Sequence, residues 1–240
     1  MAKKIKIDIV LPVYYGNLHE VEDSVKKQVK YYKKALKDFD WKIVLAINGL
    51  RAEKVIALAK KLAKRYKRFR YVHTKIPGKG SGIIYAWMHS NADILSYMDI
   101  DLATDLACFR DLIEQLNRGY DISIGSRYHP ESKTKRTLKR FIFSMIYHII
   151  FTRLILGMKY SDMQCGFKAI KREVAKKILP LIKNKKWFFE TEILYIADKK
   201  GYKIKEIPII WKESKFSGIN IYKAGLEFLK STLELRFRKI

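Results

Sequence analysis

Acidic residues are scarce in this 240-residue chain: 24 Asp and Glu stand against 50 Lys and Arg, a formal net charge of +26 at pH 7. The imbalance points to an anionic partner or surface, without choosing among nucleic acid, phospholipid and phosphorylated small molecules. Cysteine is scarcer still. Cys108 and Cys165 form neither a C-x-x-C pair nor a ladder of spacings, so no disulfide framework or zinc site is expected and a reducing cytoplasm fits. The first ten residues, MAKKIKIDIV, carry charge but no long apolar stretch or small-residue cleavage site, so no secretory leader is expected. Internal repeats and low-complexity tracts are missing as well, which excludes solenoids and arrays. What remains, 48% hydrophobic and 31% charged residues, is a globular composition. The length suits one domain over 1–240 with a sizeable core.

Segments of strand character alternate with helix-length segments. IKIDIVLPVY carries Ile5, Ile7, Ile9 and Leu11 at period two, and WKIVLAIN, RYVHT, ADILSYMDID and YDISIGSR follow from Trp41, Arg70, Ala92 and Tyr120. Helices are expected over Glu20–Leu36, Ala52–Tyr66, Gly80–Ser90 and Leu106–Asn117. Alternation of this kind predicts an α/β fold, a mostly parallel central sheet flanked by helices. After Arg127 come a basic loop, a long apolar segment, a second helical pair and the strand-like YKIKEIPIIW. Ligands of open α/β sheets bind beyond the carboxyl ends of the strands.

Three of the scarce carboxylates crowd one such end, in SYMDIDLATD. If the strand from Ala92 runs through Asp101, Asp99 and Asp101 point to the same side. Like charges so close raise one pKa or recruit a cation, and a hard divalent ion such as Mg²⁺ or Mn²⁺ suits one or two carboxylates plus substrate phosphates. Asp105 reads instead as the cap of the next helix. Upstream, PGKGSG lies between a strand and a helix, where Gly80 permits close backbone approach and Lys79 can meet an anion near a helix N-terminus. It fits neither the G-x-G-x-x-G nor the Walker A spacing.

From IDIVLPVYYGN through GKGSG, MDIDLATD and GSRY to SDMQCGFKAIKR and WFFETEILYIADKKGYKIKEIPIIW, the chain resembles the family-2 glycosyltransferases, in particular the synthases that move a sugar from a nucleotide to a polyprenyl or dolichyl phosphate. The resemblance implies a GT-A type fold, C-terminal amphipathic helices and inversion at the anomeric carbon. It implies that Asp99 holds ribose or sugar hydroxyls, that Asp101 ligates the metal, that Pro12 and Tyr14 line the nucleoside pocket and that Lys79 lies near the donor. It further places Arg127, Arg140 and Ser144 at the acceptor phosphate, Lys215 in a loop over the diphosphate, and Asp162, Gln164 and Glu192 as catalytic candidates. Departures are visible too: the second strand ends AINGLR rather than in paired aspartates, leaving Asn48 for the base, and Ala103 stands where mannose synthases carry Gln. DMQCGFK and WFFETE resemble the glucose-transferring branch, which favours UDP-glucose over GDP-mannose as donor.

From Ser132 to Ser161 there is no acidic residue, and Lys133, Lys135, Arg136, Lys139 and Arg140 precede the apolar run FIFSMIYHIIFTRLILGM. A central Arg in hydrocarbon costs at least ~2.5 kcal/mol, so this run is expected to lie in the membrane interface, not to cross it. Arg136, Arg140, Ser144, His148 and Thr152 recur every fourth residue and make a polar stripe beside a wide apolar face. Residues 132–161 and 219–240 are therefore expected to be membrane-interface or packing helices on an anionic surface at the cytoplasmic face, leaving room for a separate membrane subunit. A soluble sugar acceptor is the nearer alternative. A nucleic-acid-binding module is the alternative of another class, but RNA-binding and zinc-finger signatures are lacking, so no nucleic-acid partner is expected.

Overall fold

The computed structural model describes residues 4–213 and 221–240, with the side chains of residues 139, 140 and 221–224 outside the description. A seven-stranded sheet in the order β3-β2-β1-β4-β7-β5-β8 forms the frame. Its strands are β1 (Lys6–Val13), β2 (Asp40–Asn48), β3 (Phe69–Thr74), β4 (Ile94–Met98), β5 (Ile122–Ser126), β7 (Phe167–Lys171) and β8 (Ile204–Pro208). All neighbours run parallel except at β7, which is antiparallel to both β4 and β5. A small parallel pair, β6 (Lys133–Lys135) with β9 (Ile210–Lys212), lies beside it.

Seven of the eight β1 residues are buried, not every second one. A strand covered on both faces needs apolar side chains on both, so its run is nearly continuous. Ile7, Ile9, Leu11 and Val13 enter the core under α1 (Leu18–Ala35), α2 (Glu53–Arg65) and α4 (Cys108–Asn117), whereas Val10 enters the opposite core under α3 (Lys79–Met88), α6 (Arg172–Ile178) and α7 (Phe189–Lys199). Each such side chain contributes about 1.5–3 kcal/mol when fully buried.

Because β1 pairs with β2 on one side and β4 on the other, the strand order reverses between β1 and β4. That is where an open α/β sheet leaves a crevice. The antiparallel β7 delivers its leading end, not its trailing one, to the same edge, so residues 162–167 join the ends of β4 and β5.

The basic-apolar segment forms α5 (Leu138–Ile146), which widens into a π-helix over Tyr147–Ile155. The Thr152 hydroxyl donates to the carbonyl of His148 at 2.6 Å, a side-chain bond inside the widened turns. Ser144, His148 and Thr152 of the expected polar stripe face inward, while Leu138 (73% exposed), Ile142, Ile146, Ile149, Ile150 and Leu154 (72%) face out. The last helix, α8 (Ile221–Arg236), packs beside it through Phe228, whose ring centroid lies 5.1 Å from that of Tyr147. Among the described residues, no helix is long and apolar enough to cross a membrane.

Candidate functional site

Lys79 opens α3, and its ammonium lies 2.6 Å from Oδ1 of Asp99 and 2.5 Å from Oε1 of Glu190. Its position is fixed further by the rings of Trp187 at 5.1 Å and Tyr97 at 5.5 Å. Burial alone would lower the Lys79 pKa, but the two carboxylates reverse the effect and raise it above the ordinary lysine value. Glu190, itself buried, holds Lys168 at 3.2 Å with its other oxygen, and Lys168 also donates to the carbonyl of Cys165. Burial pushes the Glu190 carboxyl up, yet Lys79 and Lys168 together hold it below the usual carboxylate range.

β4 stops at Met98, so Asp99 and Asp101 do not share a strand face as the alternation predicted. They lie in a turn instead, in which Leu102 adopts φ 55° and Oδ1 of Asp101 accepts the Ala103 N–H at 3.0 Å. The turn still keeps the two charges close. Burial, opposed by Lys79 and reinforced by Glu190 and Asp101, raises the pKa of Asp99, whose side chain remains 42% exposed. Asp99 rests on the backbone of Gly166, where a Cβ would come within 2.1 Å of Oδ2. Two adjacent carboxylates, one seated in a cradle that only glycine leaves open, fit a hard divalent cation whose remaining ligands are phosphate and water. Among the described residues, no group of three or more His, Cys, Asp or Glu converges as a metal site. Asp105 accepts the Ala107 N–H at 2.8 Å at the entry to α4.

At the end of β2, Asn48 donates to the carbonyl of Val13 at 2.9 Å and accepts the Gly78 N–H at 3.0 Å, tying together the end of β1, the end of β2 and the loop before α3. Pro12 is buried within β1, and Tyr14, 55% exposed, follows it at the crevice edge. Gly80 does permit a close approach, but by α7: a Cβ there would lie 2.7 Å from Cβ of Phe189.

A second cluster adjoins the first. Arg127, just after β5, meets Asp162 through Nε at 2.7 Å and Nη2 at 2.8 Å, and its backbone N–H donates to the same carboxylate at 2.9 Å. Burial would raise Asp162, but Arg127 outweighs it and keeps the carboxyl below its ordinary range. Glu206 fixes the preceding turn by accepting the N–H groups of Ser161 and Asp162. Gln164 donates to Thr191 at 2.6 Å, and Gln164, Arg127 and Asp162 line a pocket with Tyr128, Ser144, Tyr147, His148 and Thr152. Burial depresses the His148 pKa against the pull of Asp162, while the Cys165 thiol is pushed up to about 12 and stays protonated.

Glu192 is not part of either cluster. Two residues beyond Glu190 on a helix puts it on another face, where it accepts the N–H groups of Lys183 and Asn184 and pairs with Arg238 at 2.7 Å. Besides Asp99, the acid that the fold brings to Lys79 is Glu190, which sequence reasoning passed over along with Lys168 and Tyr128, while His148 was read only as part of the polar stripe. The stretch WFFETE offers two acids, and only the phase of α7 against the sheet distinguishes them. Lys215 and the side chain of Arg140 lie outside the described residues.

A crevice at the reversal of strand order between β1 and β4, an antiparallel strand between β4 and β5, and paired aspartates just beyond β4 define a GT-A type glycosyltransferase fold. The chain belongs to glycosyl transferase family 2, whose sequence profile matches residues 8–179, and it is accordingly a glycosyltransferase. It is 29% identical over 243 residues to Glycosyltransferase AglD of Haloferax volcanii, covering 99% of this chain but 38% of that protein. It is 27% identical to the Dolichyl-phosphate beta-glucosyltransferase of Dictyostelium discoideum, covering 98% of this chain and 75% of that one. Among solved structures, the glucosyl-3-phosphoglycerate synthase of Mycobacterium tuberculosis, crystallised with Mn²⁺, UDP and phosphoglyceric acid, shares the fold at a TM-score of 0.69 and 16% identity, over 98% of this chain and 80% of that one.

Proposed function

We propose that the protein acts as one domain that moves a hexose from a nucleotide sugar, UDP-glucose in preference to GDP-mannose, to a polyprenyl phosphate at the cytoplasmic face of a membrane. The observation that carries this reading is one helix with two faces. Ser144, Tyr147, His148 and Thr152 line the polar pocket from α5 and its π-helical extension, while Leu138, Ile142, Ile150 and Leu154 on the same segment are exposed. In this reading the acceptor's phosphate lies at the mouth of that pocket while its hydrocarbon tail follows the outer face. Names of relatives such as the Dictyostelium dolichyl-phosphate glucosyltransferase support the acceptor class and the glucose donor.

In this reading Pro12, Tyr14 and Asn48 border the nucleoside, and Asp99 and Asp101 hold Mg²⁺ or Mn²⁺. The bound cation supplies charge neutralisation for the donor diphosphate. Lys79, aimed by Glu190, lies at the same place and offsets the charge of the Asp99 and Glu190 carboxylates. A phosphate monoester has a second pKa near ~6 and is largely dianionic at neutral pH, so no base is needed. Its oxygen forms the new bond to the anomeric carbon as the bond to the diphosphate breaks, and the electron pair leaves with the nucleoside diphosphate. Asp162, held ionised by Arg127, is then suited to orient and stabilise charge, not to take up a proton.

Transfer is measured from radiolabelled UDP-glucose or GDP-mannose to polyprenyl phosphate in anionic liposomes, with and without EDTA. Lipid-linked label from UDP-glucose that EDTA removes is the expected result. Label from GDP-mannose alone reverses the donor, undiminished transfer in EDTA removes the cation, and label appearing only in a water-soluble sugar replaces the acceptor.

A further inference from the structure

Arg127 is one of two arginines that the resemblance places at the acceptor phosphate, the other being Arg140, whose side chain lies outside the described residues, and the guanidinium of Arg127 is committed. Both Nε and Nη2 engage Asp162, and the pair is nearly sealed, with side chains 18% and 2% exposed. A bidentate arginine-carboxylate pair in such surroundings is close to neutral as a unit, and pulling it open would strand a buried charge.

Arg136 presents the opposite arrangement. Its guanidinium lies in the corner of two rings, 4.6 Å from the centroid of Tyr128 and 4.5 Å from that of Phe141, the two centroids being 6.4 Å apart. The two rings hold the group by cation-π attraction from adjacent sides, and among the described residues the hydrogen bonds of the guanidinium come from Nη1 alone, which leaves Nε and Nη2 as donors for a ligand. One nitrogen, Nη1, reaches Ser144 Oγ at 3.1 Å and Tyr128 Oη at 3.4 Å. Its contacts among the described residues are these rings and hydroxyls, none of them a carboxylate. Ser144 is held in turn by the Tyr128 hydroxyl at 2.5 Å and donates to the carbonyl of Phe141 at 2.9 Å. Phe141, 37% exposed, is both a wall of this corner and a member of the outward apolar face.

From this geometry we infer that Arg136, with Ser144 and Tyr128, is the cationic site that binds the acceptor's phosphate, and that Arg127 is a positioning residue for Asp162. The inference rests on the acceptor reading above and adds which cation performs the binding. An anion arriving at the guanidinium edge gains charge-assisted hydrogen bonds without separating any ion pair, and its apolar tail emerges over Phe141 onto the exposed helix face.

The test compares Arg136→Ala, Arg136→Lys and Arg127→Lys with the parent, using polyprenyl phosphate in mixed micelles and saturating donor. Thermal shift with nucleotide sugar verifies that each variant is folded and binds donor. Arg136→Ala is expected to raise the acceptor KM about 10- to 100-fold, with donor KM within about twofold of the parent. Arg136→Lys should restore part of the loss, because charge returns without the planar fork. Arg127→Lys should lower kcat and leave the acceptor KM near the parental value. An unchanged acceptor KM in Arg136→Ala, or a rise confined to Arg127→Lys, overturns the assignment while the acceptor reading stands. A parent that transfers nothing to polyprenyl phosphate overturns both.

Discussion

A Cβ on Gly166 would stand 2.1 Å from the Asp99 carboxylate, so Gly166→Ala must displace that side chain. Misplacement on the scale of 1 Å costs about 10²-fold in rate, and a loss of that size with an unchanged melting curve is the expected outcome. Asp99 itself is held at a cost. Its raised pKa means that the folded protein takes up its proton more readily than the unfolded chain, so ionising it subtracts stability as pH rises through the raised value. Asp99→Asn should therefore abolish transfer without lowering the melting temperature measured at neutral pH in the absence of ligand. Glu190 and Asp162 have the opposite sign: their depressed pKa values give stability that is present above the ordinary carboxylate range and lost as pH falls through the folded values. Glu190→Gln leaves Lys79 and Lys168 buried around a neutral group, and a loss of about 3–5 kcal/mol at neutral pH is expected in denaturant titrations, with a flatter decline towards acid. Of these residues only the aspartates and Lys79 were visible beforehand. Carboxylates massed at a strand end in a basic chain stand out, whereas Glu190 gains its meaning only from a neighbour 111 positions away.

At the level of elements, the four-residue recurrence from Arg136 to Thr152 was readable as a polar stripe, but its direction was not. Sequence placed polar groups beside an apolar face; the fold turns the polar groups inward over Asp162 and leaves the apolar face outside. α8 repeats the pattern, with Leu226 (74% exposed), Leu229 and Leu233, and Phe237 (81%) just beyond its end, turned outward while Phe228 and Leu235 pack. Exposed substitutions change stability by only about 0.5 kcal/mol, so Ile142→Glu with Leu154→Glu should leave the melting curve in place and abolish flotation with anionic liposomes. Retained flotation in the double variant would move the membrane contact elsewhere.

For the molecule as a whole, the parallel half of the sheet was legible because buried strands and their crossover helices repeat one alternation from β1 to β5. β7 was not. Its five residues, FKAIK, follow a motif quoted for its chemistry, and nothing in so short a run states direction. That single reversed strand has a consequence for the order of folding. β1 to β4 can assemble through connections of a few dozen residues, but β4 gains its second neighbour only when Phe167–Lys171 returns from beyond the long helix, and β5 has none until then except β8, which comes later still. Contacts that close long loops form late. In refolding followed by hydrogen exchange, amides of β1 and β2 should acquire protection before those of β5, and fluorescence of a bound nucleotide analogue should recover only with the later phase. A nascent chain released before β7 would hold the finished ends of β1 and β2 with Asp99 lacking its Gly166 seat, so on the proposed reading competence to bind donor is acquired in the last third of synthesis.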